Sequence, residues 1–95
     1  VNVRWTPEAE QDRRDVWDYI ASDSALAAAR MDLLFGKAVA KLADFPNIGR
    51  IGQIPGTREL IAHESYCLVY AIEDETVWIL ALVSTSRQWP PNCLP

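Results

Sequence analysis

Histidine occurs once in this 95-residue chain, lysine twice and cysteine twice, and each scarcity removes a class of function. Nine basic residues face thirteen acidic ones, for a net charge of −4, and Lys37 and Lys41 are the only lysines. Every phosphate a protein neutralises needs a Lys or Arg, so an acidic chain makes a poor generic nucleic-acid binder. Cys67 and Cys93 lack C-x-x-C spacing and His63 has no second histidine to join it, which argues against a zinc site. No metal or organic cofactor is implied. No apolar run approaches the ~20 residues that cross a bilayer, and no stretch reads as a signal peptide. The expectation is a cytoplasmic protein with no membrane contact.

What the chain does have is apolar surface. Hydrophobic residues make up 49% and there are four tryptophans, enough for one core; residues 1–95 therefore read as a single domain. VNVRW alternates as an edge strand does. In TPEAE, Thr6 is a helix cap, Pro7 suits a first turn, and Glu8 and Glu10 favour the positive end. Ala9, Val16 and Ile20 mark the buried face of that helix, with Arg13, Arg14, Asp15 and Asp18 outside. Ser22-Asp23-Ser24 separates it from a longer helix at roughly 24–44. There, Ala27, Met31, Leu34, Phe35, Ala38, Leu42 and Phe45 recur at steps of three and four. FPNIGRIGQIPG is a loop with apolar anchors. TRELIAH, YCLVYAIE and TVWILALVST then predict a three-stranded antiparallel meander, with Val77 to Val83 as a central strand buried on both sides. The fold class is α+β: an N-terminal strand and an antiparallel helical hairpin packed on a small antiparallel sheet, with one sheet face partly free.

Three stretches carry a resemblance: RWTPEAEQDRRDVWDYIA, LADFPNIGRIGQIPGTREL and YCLVYAIEDETVWILALVSTSRQWP. In this order and spacing they resemble the RelE/ParE superfamily of bacterial toxins over nearly the whole chain. The resemblance implies the toxin of a type II toxin–antitoxin pair, held inactive by a cognate antitoxin and meeting operator DNA only through it. RelE-like members cut mRNA in the ribosomal A site. ParE-like members share the fold and poison DNA gyrase.

The residues weigh on that choice. Cleavage through a 2′-hydroxyl needs a base, an acid and cations around the phosphate. Arg50, Arg58 and Arg87 supply cations, and are the catalytic set if the chain is RelE-like. A base and an acid are harder to find: Ser84 stands where many relatives carry His, His63 is a strand-end residue beside Glu64, and Tyr66 and Tyr70 share one strand face that suits packing. Arg50 also has a purely structural reading, tying its loop down through carbonyl hydrogen bonds. Arg58 suits either a helix carboxylate or the groove of an antitoxin acid. Arg87 and Trp89, beyond the last strand, form an interface anchor; with Arg58 they are the target-binding candidates. The favoured reading is a ParE-like gyrase inhibitor that is not an enzyme. A ribosome-dependent endoribonuclease and a non-toxic antitoxin-binding relative are the alternatives.

Overall fold

Thr6 joins the two layers of the fold. It follows strand β1 (Asn2–Trp5) and caps helix α1 (Pro7–Ala21), its Oγ1 accepting from the Ala9 amide at 3.1 Å. Its own amide and hydroxyl donate to the Ile79 carbonyl at 3.0 and 3.1 Å, on strand β5 (Thr76–Ser84). One threonine thus fixes the start of the helix against the sheet. Ser24 caps helix α2 (Ala25–Asp44) in the same way, its Oγ accepting from Ala27 at 3.1 Å. Only residues 22–24 separate the helices, so the pair folds back on itself.

In the computed structural model, residues 1–85 are described. Strands β2 (Arg50–Ile51), β3 (Arg58–His63) and β4 (Tyr66–Glu73) complete a five-stranded sheet in the order β1-β5-β4-β3-β2. The expected meander is β3-β4-β5, antiparallel throughout. Two details differ from expectation. The edge strand β1 pairs parallel to β5, so the sheet is mixed, and the intervening hairpin and strands supply the long connection that a parallel pair needs. The loop before β3 also contributes the two-residue strand β2.

The core lies between hairpin and sheet. Phe35, Ala38 and Leu42 of α2, Ala9 of α1, Leu68 and Tyr70 of β4, and Val77, Ile79 and Leu82 of β5 form one buried cluster. Each large member stabilises the fold by about 1.5–3 kcal/mol relative to exposure. Tyr66 meets Phe35 edge-on at 5.7 Å, so the two tyrosines of β4 both serve packing. The buried line of α2 runs through Ala28, Phe35, Ala38 and Leu42, with Met31 against it. Leu34 and Ala27 lie off that line and are exposed, and Phe45 is past the helix end. Each step along a helix turns about 100°, so one residue of error moves a side chain off the core.

Strand β4 is the middle of the five, and β5 is an inner strand with no exposed residue on either face. Its apolar run also contains an irregularity. Val69 pairs with Ala81 and Tyr70 with Ile79, so Leu80 is an extra residue, a β-bulge. The bulge resets the alternation, which lets Ile79 and Leu82, three apart, both face the helices. Beyond the end of β1, the same edge of β5 is capped by α1: the Leu82 amide donates to Asp12 Oδ2 at 3.1 Å. Arg13, expected outside, is half-buried. Its guanidinium lies 4.9 Å from the Trp5 ring centroid and binds Asp32 of α2 at 2.6 and 3.0 Å.

Burial raises the Asp12 carboxyl above its ordinary value of 3.8, with the Leu82 hydrogen bond pulling the other way. The folded protein therefore holds this proton more tightly than the unfolded chain, and stability from this group falls as pH rises through that window. Asp12→Asn keeps an acceptor for Leu82 and removes the buried charge. Its expected effect is a gain of a few tenths of a kcal/mol at pH 7, small because the site is partly solvated. The gain should disappear as the pH falls below the Asp12 pKa. Urea unfolding of both proteins at several pH values measures this; a loss of stability at pH 7 contradicts it.

Candidate functional site

The helices cover one face of the sheet; on the other lies a shallow concavity of about 400 Å³. Arg50, Glu59, Glu64, Cys67, Val83 and Ser84 contribute to its lining. Arg50 and Glu59 are direct cross-strand partners of β2 and β3. Their side chains meet as an ion pair, Arg50 Nε and Nη2 lying 3.0 and 2.9 Å from Glu59 Oε1. The arginine is two-thirds exposed while the carboxylate is 13% exposed, so the pair presents guanidinium outward. Cys67 sits on the floor, and burial pushes its thiol up to about 11, with Glu59 adding to the shift. It is a protonated thiol at neutral pH and a poor nucleophile.

Arg50 is held where it is by its loop. The buried Tyr70 hydroxyl donates to the Pro46 carbonyl at 2.7 Å and accepts from the Gly49 amide at 2.9 Å. Burial raises the Tyr70 pKa, with the Gly49 hydrogen bond and Arg58 opposing, so the hydroxyl is a dependable donor. Gly49 is required by space: a Cβ there would lie 2.6 Å from the Tyr70 hydroxyl and 2.8 Å from the Glu59 carbonyl. Arg58 Nη1 donates to the carbonyls of Asn47 and Gly49 at 3.2 and 2.8 Å. The carbonyl-binding role read for Arg50 thus belongs to Arg58, and Arg50 is paired across the strands instead. Arg58 forms no ion pair with a helix carboxylate among the described residues.

Of the sequence candidates, Arg50 reaches the concavity and Arg58 supports its loop. Arg87 and Trp89 lie outside the described residues. His63 turns into its own turn, its Nδ1 accepting from the Ser65 amide at 3.0 Å. Ser84 lines the concavity at the end of β5 and has an interaction partner. Thr85 binds the β3–β4 turn, donating to the carbonyls of Ser65 and Glu64 at 2.9 and 2.8 Å. Glu59 and Cys67 were missed as lining residues. The period of two, applied from Arg50 through its register partner, would have found Glu59 had β2 been recognised. No group of three or more His, Cys, Asp or Glu able to hold a metal occurs among the described residues. No helix among them is long and apolar enough to cross a membrane.

The fold is a two-layer α+β arrangement whose second sheet face carries the Arg50 guanidinium on a loop bolted down by Tyr70. Residues 3–89 match the family model for the ParE toxin of the type II toxin–antitoxin system parDE. The chain belongs to that family. A Sinorhizobium fredii protein described as toxin Y4kP is 39% identical over 89 residues, covering 93% of this chain and 92% of that one. Toxin RelE2 of Caulobacter vibrioides is 35% identical over 85 residues, covering 90% and 96%. Among solved structures, a chain of the chromosomal ParDE system from P. aeruginosa superposes with a TM-score of 0.79 at 20% identity, covering 88% of this chain and 95% of that one. The Staphylococcus aureus YoeB dimer gives 0.60 at 14% identity, covering 85% and 92%. These structural likenesses establish the α+β fold.

Removing the Tyr70 hydroxyl leaves a buried amide and carbonyl without partners, which costs about 1–3 kcal/mol. Tyr70→Phe should lower the melting temperature by at least ~4 °C, read by circular dichroism. An unchanged transition would show that the loop does not depend on this hydroxyl.

Proposed function

We propose that this toxin inhibits growth by poisoning DNA gyrase through a recognition surface, with no chemistry of its own, and that a cognate antitoxin neutralises it in the cytoplasm. The observation that carries the reading is the state of the free sheet face. Arg50, the cation lining its concavity among the described residues, is already paired with Glu59, and the thiol beside them is held protonated. RNA cleavage by attack of a 2′-hydroxyl needs a positioned base and acid as well as cations around the phosphate. Here the histidine is engaged in its own turn and the tyrosines of β4 face the core. The net charge of −4 opposes approach to a phosphate-lined ribosomal A site and is no obstacle to a protein target. The ParE family model and the ParDE structural relative support the same branch.

On this reading Arg50 offers guanidinium to the target at the concave face. Arg87 and Trp89 are its partners in the grip, a role read from sequence for two residues outside the described part. Purified antitoxin-free toxin added to gyrase should inhibit supercoiling and accumulate cleaved DNA. Arg87→Ala and Trp89→Ala should each reduce the effect about tenfold or more, the size expected for interface anchors. Untouched gyrase together with cut mRNA in a translation extract would overturn the proposal in favour of RelE-type cleavage. Untouched gyrase with intact mRNA and normal growth would indicate a non-toxic relative.

A further inference from the structure

The ion pair on the concave face leaves half of its carboxylate unused. Both contacts from Arg50, Nε at 3.0 Å and Nη2 at 2.9 Å, fall on Glu59 Oε1. Arg13 treats Asp32 differently, giving Nε to Oδ1 and Nη2 to Oδ2, one N–H to each oxygen. That fork-on-fork geometry is how a guanidinium saturates a carboxylate, and Glu59 does not have it. Glu59 Oε2 has no hydrogen-bond or ion-pair partner among the described residues. No fully buried side-chain oxygen among them lacks a partner, so Oε2 is open to the concavity that Glu59 lines. An ionised carboxylate only accepts hydrogen bonds, so what this oxygen can take is a donor.

The charge around it says what kind of donor. One guanidinium, Arg50, stands against two carboxylates, Glu59 and Glu64, in the lining. The balance is felt on the floor, where Glu59 raises the Cys67 pKa by more than Arg50 lowers it. An entering phosphate meets two carboxylates and a guanidinium that already has a partner; an entering cation is attracted. The surface beside Glu59 suits the rest of a basic side chain. Val69 is its register partner on β4, and two residues along β3 the partners Ile61, Cys67 and Val83 form an apolar strip across three strands. Methylene stems of Lys and Arg lie on such surface while the charged head reaches a carboxylate.

We propose that the concave face receives a Lys or Arg side chain of the toxin's protein target, its cationic head on Glu59 Oε2 and its stem on the apolar strip. This rests on the recognition reading of that face and names what the target must present to it.

The test is amide NMR of the full chain titrated with N-acetyl-arginine amide and, separately, with a short single-stranded RNA. The arginine probe should shift the Ile61, Cys67 and Val69 amides. Glu59→Gln keeps an oxygen for Arg50 and should weaken the probe about tenfold. Ile61, 47% exposed and on the same strand face as Glu59, gives variants that do not enter the core. Ile61→Lys should weaken the probe by setting an ammonium beside Glu59, and Ile61→Glu should tighten it. A mere disturbance of the sheet would not reverse with the sign of the charge. No shifts from the arginine probe, or equal affinity in wild type and Glu59→Gln, overturns the proposal. So do larger shifts from the RNA than from arginine, which would make the face a polynucleotide site. Glu59→Gln should also weaken binding to purified gyrase about tenfold. A wild-type toxin that binds the arginine probe and not gyrase would sink the gyrase assignment and leave the cation site standing.

Discussion

The hydroxyl of Tyr70 sits at the one point where sheet, loop and helix end all have to agree. It projects from the central strand, wholly buried, and joins the Pro46 carbonyl to the Gly49 amide. Both backbone groups need partners, and a loop with two prolines and three glycines has few of its own to offer. With those two residues fixed, Arg50 enters the sheet in register with Glu59, and the cross-strand ion pair follows from the pairing. Arg58 completes the arrangement from the next strand by binding the Asn47 and Gly49 carbonyls. Arg50, an exposed cation of the free face, is therefore placed by a tyrosine on the core side of the sheet.

A second constraint acts at the other edge. β5 outruns its parallel partner β1, and an unpaired strand edge needs a cover. Thr6 and Asp12 provide it from α1, through the Ile79 carbonyl and the Leu82 amide. The bulge at Leu80 is part of the same arrangement, since it changes which groups of β5 point to the core and which to the edge. The cost is a carboxylate held away from water, accepted in return for a satisfied strand edge.

Much of this was legible in the residues. Thr6, Pro7 and Ser22-Asp23-Ser24 announce helix starts and a stop through capping chemistry, which is local and therefore readable. The meander was marked by turns read at Glu64-Ser65 and Glu73-Asp74-Glu75, although Glu73 itself still belongs to β4. What escaped was non-local. The parallel sense of β1 depends on contacts more than seventy residues apart, and the bulge was hidden in β5 because a continuous apolar run reads the same with or without a shifted alternation. The two-residue strand β2 is too short to show a period. Arg50 was read as a loop cation, whereas it opens strand β2, and its partner and that of Arg58 follow from register and from the bolted loop, neither of which is a property of composition.

The proposed function rests on the same placement: a face whose cation is paired and whose thiol is protonated is suited to recognition. That surface presupposes a rigid loop. The direct measurement is native-state hydrogen exchange at the Gly49 amide. The account predicts protection close to that of the β4 amides, because this N–H is released only when the core around Tyr70 opens. Exchange of Gly49 at the rate of an open loop would contradict it, and would leave Arg50 without the fixed position on which the recognition surface depends.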